Sequence, residues 1–252
     1  MHLDRLISVL ETVAIAGRPV SAADLQQATG LPRPTCYRLL QTLTQKRLLD
    51  DAPEGGSLIG ERLVRIALLG RTDVDVCQAA APALKDAAIS LGEAVFLSRF
   101  RKTGVEIIHV EMPSDPKRSF IHPGLGYRPM HACSCSKAIA AYAEEDFRES
   151  ILQDTMRAYT RHTQTSADRL RAEFTDILKR GYAECVEEIE MGVSSVAAPV
   201  QIGNIGATFS VGATGPIRRF TEERRGRIGK DMIALSAKVA AAIQLYGVAE
   251  AV

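Results

Sequence analysis

Apolar residues recur at helical spacing from the start of the chain. Leu3, Leu6, Ile7, Leu10, Val13 and Ala14 predict an amphipathic helix, ended by Gly17-Arg18-Pro19. Ser21 with Asp24 three residues on is a capping-box-like start for a second helix, which runs to about Thr29 and ends at Gly30. Leu31-Pro32 allows a sharp redirection. Cys36, Leu39, Leu40 and Leu43 then form one buried stripe on a third helix. Arg47–Asp50 and Leu58–Ile59 read as short extended pieces around the turn-rich run Asp50 to Ser57. Three helices followed by a small hairpin predict a winged helix-turn-helix, after which Glu61 to Gly70 resumes a helical pattern.

Asp73 to Leu91 is Ala-rich, with Val76, Ala80, Leu84, Ala87 and Leu91 on one face, and reads as a linker helix. From Glu93 the period changes. Ala94–Phe100 and Val105–Glu111 are β-type runs joined by a hairpin signal, Arg101-Lys102-Thr103-Gly104. Further strands are expected at Arg118–His122, Tyr182–Glu188, Ser194–Ile202 and Gly206–Gly212. Helices are expected at Ser134–Ala143, Ala167–Arg180 and Glu222–Tyr246, the last with Ile228, Met232, Leu235, Val239, Ile243 and Tyr246 on one stripe. The predicted class is α+β. A winged helix-turn-helix spans 1–70, a linker helix 71–92, and an antiparallel sheet flanked by helices 93–252.

Composition limits what this architecture does. The 252 residues carry a formal net charge of +1, so any affinity for nucleic acid rests on a local patch and on self-association. No apolar run approaches the ~20 residues of a membrane span. The N-terminus has acid and polar residues inside its pattern, unlike a signal peptide. Five cysteines, an odd number without scaffold spacing, fit a reducing cytoplasm. Trp is absent and aromatics are sparse, which argues against a base-stacking single-strand binder.

The third helix has a distinctive outer face. Opposite its apolar stripe lie Pro34, Arg38, Gln41 and Gln45, with Thr35 and Thr42 on a flank. Arg33, Arg38, Lys46 and Arg47 are basic, and no acid occurs between Leu31 and Leu49. A solvated amphipathic helix pair has the same spacing, but an Arg/Gln/Thr face on an apolar-backed helix suits the major groove. Arg38 and Gln41 are one turn apart, matched to guanine and adenine edges respectively. Arg33, Pro34 and Thr35 sit where free N–H groups favour phosphate. Tyr37 lies between the faces and suits phosphate contact or core packing equally. The candidate DNA-binding set is Arg33, Pro34, Thr35, Tyr37, Arg38, Gln41, Thr42 and Lys46, with Arg47 as a further phosphate candidate.

Three segments together resemble the IclR family of bacterial transcription regulators. They are ATGLPRPTCYRLLQTL (Ala28 to Leu43), GLGYRPMHACSCSKAIAAY (Gly124 to Tyr142) and GYAECVEEIEMGVSSVAAPV (Gly181 to Val200), the last followed by GATFSVGATGP (Gly206 to Pro216). The resemblance spans nearly the whole chain in the family's order. It implies a GAF/PAS-like effector domain after the linker helix, palindromic operator DNA bound by a homodimer or homotetramer, and a small organic acid or aromatic metabolite as effector. It further implies control of a catabolic operon. The chain departs from the family pattern in three places. Ser57-Leu58-Ile59 replaces basic or aromatic residues at the second wing strand. Lys46-Arg47 replaces the usual Gly before the first. Cys133-Ser134-Cys135-Ser136 stands where small residues and Gly precede Lys137.

Carried over position by position, the effector-binding places fall on Ser134, Cys135, Cys185, Ser195, Gly212 and Thr214, with His131 and Arg128 adding positive charge. A helix start at Ser134 gives a physical reason for an acidic effector. Phe120, Met130 and Tyr127 are candidates for an apolar wall. An alternative input is metal or thiol chemistry at Cys133, Cys135 and Cys185, with His131 or Glu184 as further ligands. The acidic run Glu184 to Glu190 reads as a strand edge and a solvated turn, with cation ligation as its alternative. No cofactor is expected. No P-loop, G-x-G-x-x-G or H-E-x-x-H accompanies the thiols, and catalysis is not expected.

Overall fold

The structure, a computed structural model, describes residues 2–101, 104–114, 120–202 and 206–245. It divides into two compact units, one ending at Arg71 and one beginning at Thr72.

The first unit contains α1 (His2–Ala16), α2 (Ala22–Thr29), α3 (Arg33–Gln45), β1 (Leu49–Asp51), β2 (Ser57–Ile59) and α4 (Glu61–Leu69). The capping box is made: Ser21 Oγ accepts from Asp24 N at 3.1 Å, and Asp24 Oδ2 accepts from Ser21 N at 2.9 Å. Gly30 ends α2 in the left-handed region at φ 69°. Cys36, Leu39, Leu40 and Leu43 are all buried, against Val9, Val13, Leu25 and Leu49. Leu25, Leu39 and Leu49 are almost wholly enclosed, each contributing roughly 1.5–3 kcal/mol by burial. On α1 the buried stripe is rotated from the expected one. Val9 and Val13 are enclosed and Leu6 and Leu10 partly so, while Leu3, Ile7 and Ile15 stay exposed. The helix carries apolar residues on two faces, and the packing of α2 and α3 selects one.

The wing pairs Leu49 with Ile59 and Asp51 with Ser57, antiparallel. Val20 and Ser57 exchange two backbone hydrogen bonds of 2.9 Å, anchoring the wing beside the start of α2.

The second unit opens with α5 (Asp73–Leu91), the helix expected as a linker. Its buried face is Val76, Ala80, Leu84 and Ala88, so Ala88 takes the place expected for Ala87. Then follow β3 (Ala94–Arg101), β4 (Gly104–Glu111), β5 (Gly126–Arg128), α6 (Ser134–Ala141), α7 (Glu145–Gln153), α8 (Ala167–Arg180), β6 (Ala183–Val186), β7 (Val193–Gln201), β8 (Ala207–Pro216) and α9 (Glu222–Leu245). The six strands form one antiparallel sheet in the order β5-β4-β3-β8-β7-β6. α5 and α9 pack on each other and on the sheet, and α6 packs on β7, β8 and α8.

Most expected elements are present, with some differences. Lys102-Thr103 and Tyr246 lie outside the described residues. So does part of the strand expected at Arg118–His122; its remainder, Phe120 to His122, is irregular, and β5 takes the sheet edge instead. Tyr182–Glu188 shortens because Glu187 adopts φ 55°, a left-handed conformation that breaks the strand. The acidic run leaves the strand there.

Candidate nucleic-acid interface and effector pocket

The start of α3 is open. Pro32 is its N-cap and no side chain accepts from its first N–H groups. The first turn contains no acid, so the positive end of the helix is uncompensated. Arg33, Pro34, Tyr37, Arg38, Gln41, Gln45 and Lys46 are exposed along the outer face. Tyr37 is 56% exposed, which decides against core packing. The Arg33 guanidinium lies 5.8 Å from its ring centroid, placing charge and aromatic side by side. The Thr42 hydroxyl donates to Arg38 O at 2.7 Å, so that expected contact is engaged within its own helix. Thr35 N–H bonds Pro32 O at 2.8 Å.

At the other end of α3 the chain turns sharply. Arg47 takes φ 55°, a conformation glycine adopts more readily. Arg62 Nη1 donates to Lys46 O at 3.1 Å and braces the turn. Gly60 has to be glycine, since a Cβ there would stand 2.5 Å from Arg47 O. Beyond it the wing is acidic: Asp51 and Glu54 are exposed, and Asp50 Oδ2 accepts from Glu61 N at 3.1 Å. An open cleft of about 720 Å³ runs between α3, the start of α2 and the wing, lined by Tyr37, Gln41, Thr44, Gln45, Asp51 and Ser57 among others.

In the second unit every residue of α6 is buried. Ser134 and Ser195 hydroxyls are 2.7 Å apart. Ser195 pairs in register with Cys185 on β6 and with Thr214 on β8, so these expected positions share a locality. Thr214 Oγ1 donates to Ser194 O at 3.2 Å, and Ser210 Oγ donates to Cys135 O at 3.3 Å. The sulfurs of Cys133 and Cys135 are 3.3 Å apart. Burial pushes the Cys185 thiol up to about 12.

Other expected positions diverge. His131 Nε2 hydrogen-bonds Arg157 O at 2.9 Å, and its ring stacks on Tyr159. The space above Gly212 is filled by Phe96, whose Cζ would stand 2.3 Å from an added Cβ. Tyr127 is 61% exposed and lies by Gly104, away from any pocket wall, whereas Met130 packs on the core around α6 and Phe120 is half-buried. Arg128 donates to Pro123 O, Gly124 O and Tyr127 O, closing its own loop.

The metal alternative is not assembled. Among the described residues no group of three or more His, Cys, Asp and Glu is placed to hold an ion. His131 is engaged elsewhere, Glu184 pairs with Arg225 at 3.1 Å, and Glu187 accepts from Gly192 N at 2.7 Å.

Periodicity did not indicate a buried charge cluster beneath α6. Lys137 Nζ, fully enclosed, donates to Glu173 Oε1 at 2.7 Å and Glu188 Oε1 at 2.6 Å. Burial lowers the Lys137 ammonium, and the two carboxylates raise it above its ordinary value. Burial holds the Glu188 carboxyl above its ordinary value, against the opposing pull of Lys137. Glu188 Oε2 is buried without a hydrogen-bond partner.

The chain matches the IclR helix-turn-helix domain over residues 2–53 and the bacterial transcriptional regulator IclR C-terminal domain over residues 70–241. It is 30% identical over 236 residues to the glycerol operon regulatory protein of Streptomyces coelicolor, covering 92% of this chain and 90% of that one. It is 26% identical over 240 residues to the transcriptional repressor IclR of Escherichia coli, covering 94% and 88%. In fold it resembles a putative IclR regulator from Silicibacter, with TM-score 0.66 and 20% identity over 96% of this chain and 95% of the other. It also resembles an IclR homolog from Microbacterium hydrocarbonoxydans complexed with 4-hydroxybenzoate, with TM-score 0.61 and 21% identity over 97% and 99%.

Proposed function

Because the chain belongs to the IclR family of bacterial transcription regulators, we propose that α3 reads operator DNA through Arg38 and Gln41 while the second unit binds a small carboxylate that alters this binding. The exposed, acid-free face of α3, with its uncapped start, carries the DNA half of the reading. Arg38 and Gln41 take base edges, each contact worth roughly 1–3 kcal/mol of discrimination. Arg33, Tyr37, Lys46, Arg47 and the Thr35 hydroxyl take phosphates and fix the register, with Pro34 in van der Waals reach of the backbone.

One winged unit offers few contacts, so two chains act together on a palindromic site. The second apolar face of α1, with Leu3, Ile7 and Ile15 exposed, supports self-association into a homodimer or a pair of homodimers. In this reading the unit that ends at Arg71 binds DNA and the unit that begins at Thr72 binds the effector, with α5 as the first helix of the second unit.

Ser134, Cys135, Cys185, Ser195 and Thr214 are the effector positions this reading keeps, at the N-terminal end of α6, where N–H groups favour a carboxylate. The Microbacterium homolog's 4-hydroxybenzoate supports an aromatic acid as the first ligand to try. Control of a catabolic operon fits relatives named for glycerol and acetate operons. The protein acts by binding rather than turnover, and works in the cytoplasm; no helix among the described residues is long and apolar enough to cross a membrane. Ligand binding shifts DNA binding only to the extent that the effector favours one conformation over the other.

The test is a selection of bound duplexes from genomic fragments, followed by titration of 4-hydroxybenzoate and related carboxylates. Enrichment of a palindromic sequence whose retention changes with ligand supports the reading. A flat enrichment at every salt concentration overturns the DNA half, and enrichment indifferent to the acids overturns the effector half.

A further inference from the structure

Two thiols at the start of α6 have no part in the reading above as a pair. Cys133 is the N-cap, extended at φ −91° and ψ 138°, and Cys135 is the second residue of the helix. This change of backbone conformation brings both side chains to the same side, with sulfurs 3.3 Å apart. A disulfide would bring the sulfurs to roughly 2.05 Å. All the cysteines are free. Cys36 lies in the core of the first unit, and Cys77 Sγ donates to Ile108 O.

The surroundings give the two sulfurs different roles. Cys135 Sγ is in hydrogen-bond contact with Cys133 Sγ and lies beside the Ser136 hydroxyl, with the Arg128 charge nearby. Burial raises the Cys135 thiol, but these partners more than offset it and hold the thiol below its ordinary value. Cys133 is held well above its own by its contact with Cys135 and by burial. Cys135 lies in the first turn of a helix whose start no side chain caps, beside the Ser136 hydroxyl, a setting that favours its thiolate; it is the nucleophile and Cys133 the resolving thiol. Cys133 is 6% exposed and Cys135 is enclosed behind it, so the reaction requires a small oxidant and local opening past Cys133.

We propose that Cys133 and Cys135 are a redox-modification site, which a small hydroperoxide converts to an intramolecular disulfide beside the proposed effector positions. The Cys135 thiolate attacks the peroxide O–O bond, forming a sulfenic acid and releasing hydroxide (from hydrogen peroxide) or alkoxide, which takes up a proton. The Cys133 thiol then attacks the Cys135 sulfur. The S–O bond breaks, water leaves with the Cys133 proton, and the S–S bond forms. The dithiol loses two electrons and two protons, and the peroxide is reduced to water and water or alcohol. A dithiol reductant reverses the step by exchange.

The new ring encloses Ser134, whose hydroxyl links α6 to Ser195 on β7. Oxidation therefore alters the place where the proposed effector binds, and its regulatory output rests on the regulator reading given above.

The test treats the full-length reduced protein with hydrogen peroxide, blocks remaining thiols under denaturing conditions, and maps peptides by mass. Two of the five thiols disappear, as a 133–135 link that dithiothreitol reverses. Cys133→Ser stops at a sulfenic acid on Cys135, trapped by dimedone. Persistent sulfenic acid in the wild type, no thiol loss, or prior oxidation of Cys36, Cys77 or Cys185 overturns the site; these outcomes need no variant to fold. In a second arm, the oxidised protein's operator response to ligand shifts by about five-fold or more. An unshifted response, with the disulfide formed, overturns the regulatory half. A reduced protein that selects no operator counts against the regulator reading and not against the thiol chemistry.

Discussion

The hydroxyls of Ser134 and Ser195 stand 2.7 Å apart and join the first residue of α6 to β7 in the centre of the second unit. Under the proposed function, a carboxylate seated at this helix start would take the place of that link and use both hydroxyls. Ser195→Leu fills the space and removes one donor. It weakens binding of a small aromatic carboxylate about ten-fold or more, measured by titration calorimetry. Undiminished affinity places the ligand elsewhere.

Lys137 neutralises one of two carboxylates facing it in the core. Lys137→Met leaves both without their cation and costs about 3–5 kcal/mol at neutral pH. Urea unfolding measures the loss, and a cost under about 1 kcal/mol would mean that water or rearrangement replaces the pair.

The same cluster sets a pH dependence. Glu188 is held above its ordinary value of 4.5, so the folded chain holds that proton more tightly than the unfolded chain does. The contribution is full below 4.5 and is lost as pH rises through the folded value. Relative to Glu188→Gln, the wild type therefore gains stability as pH falls from neutral toward 4.5. Parallel unfolding curves across that range check it; a difference that stays constant or shrinks contradicts the assignment.

At the exit of α3, Arg47 occupies the left-handed region and Gly60 lies against its carbonyl. Arg47→Gly relieves the conformation and stabilises the first unit by about 0.5–1 kcal/mol. Gly60→Ala forces the backbone apart and costs about 1–3 kcal/mol. Thermal melts of the two variants move in opposite directions; a shared direction contradicts this account of the turn.

These elements were unequally legible in the sequence. The α3 stripe was readable because its spacing and its packing follow one period, and the second-unit strands were readable from their alternating or continuous apolar runs. The α1 stripe was ambiguous because that helix is apolar on two faces, and only its neighbours decide which is buried. The break at Glu187 had no signal, since no glycine marks it. In the candidate pocket, the convergence of Ser134, Cys185 and Ser195 came from the family resemblance, because residues so far apart leave no local pattern. The resemblance also places Gly212 with them, where the ring of Phe96 fills the space, and His131, expected to add charge nearby, bonds the backbone carbonyl of Arg157 instead.

The wing departs from what a duplex attracts. Asp51 and Glu54 are exposed beside the cleft that borders α3. Asp51→Lys with Glu54→Lys raises operator affinity and steepens its salt dependence by up to about two counterions. Fluorescence anisotropy over a salt series measures both, and an unchanged slope would place the wing away from the phosphates.

In the proposed function α3 is the element that reads the operator. Arg38 is exposed on its outer face, away from the stripe that holds the helix in place. Arg38→Ala should leave the fold, the oligomeric state and carboxylate binding intact while nearly abolishing binding to the selected operator. The measurement is operator affinity of Arg38→Ala against wild type at fixed salt, by fluorescence anisotropy. A loss of about ten-fold or more is predicted, and an unchanged affinity would mean that α3 does not dock in the groove as proposed.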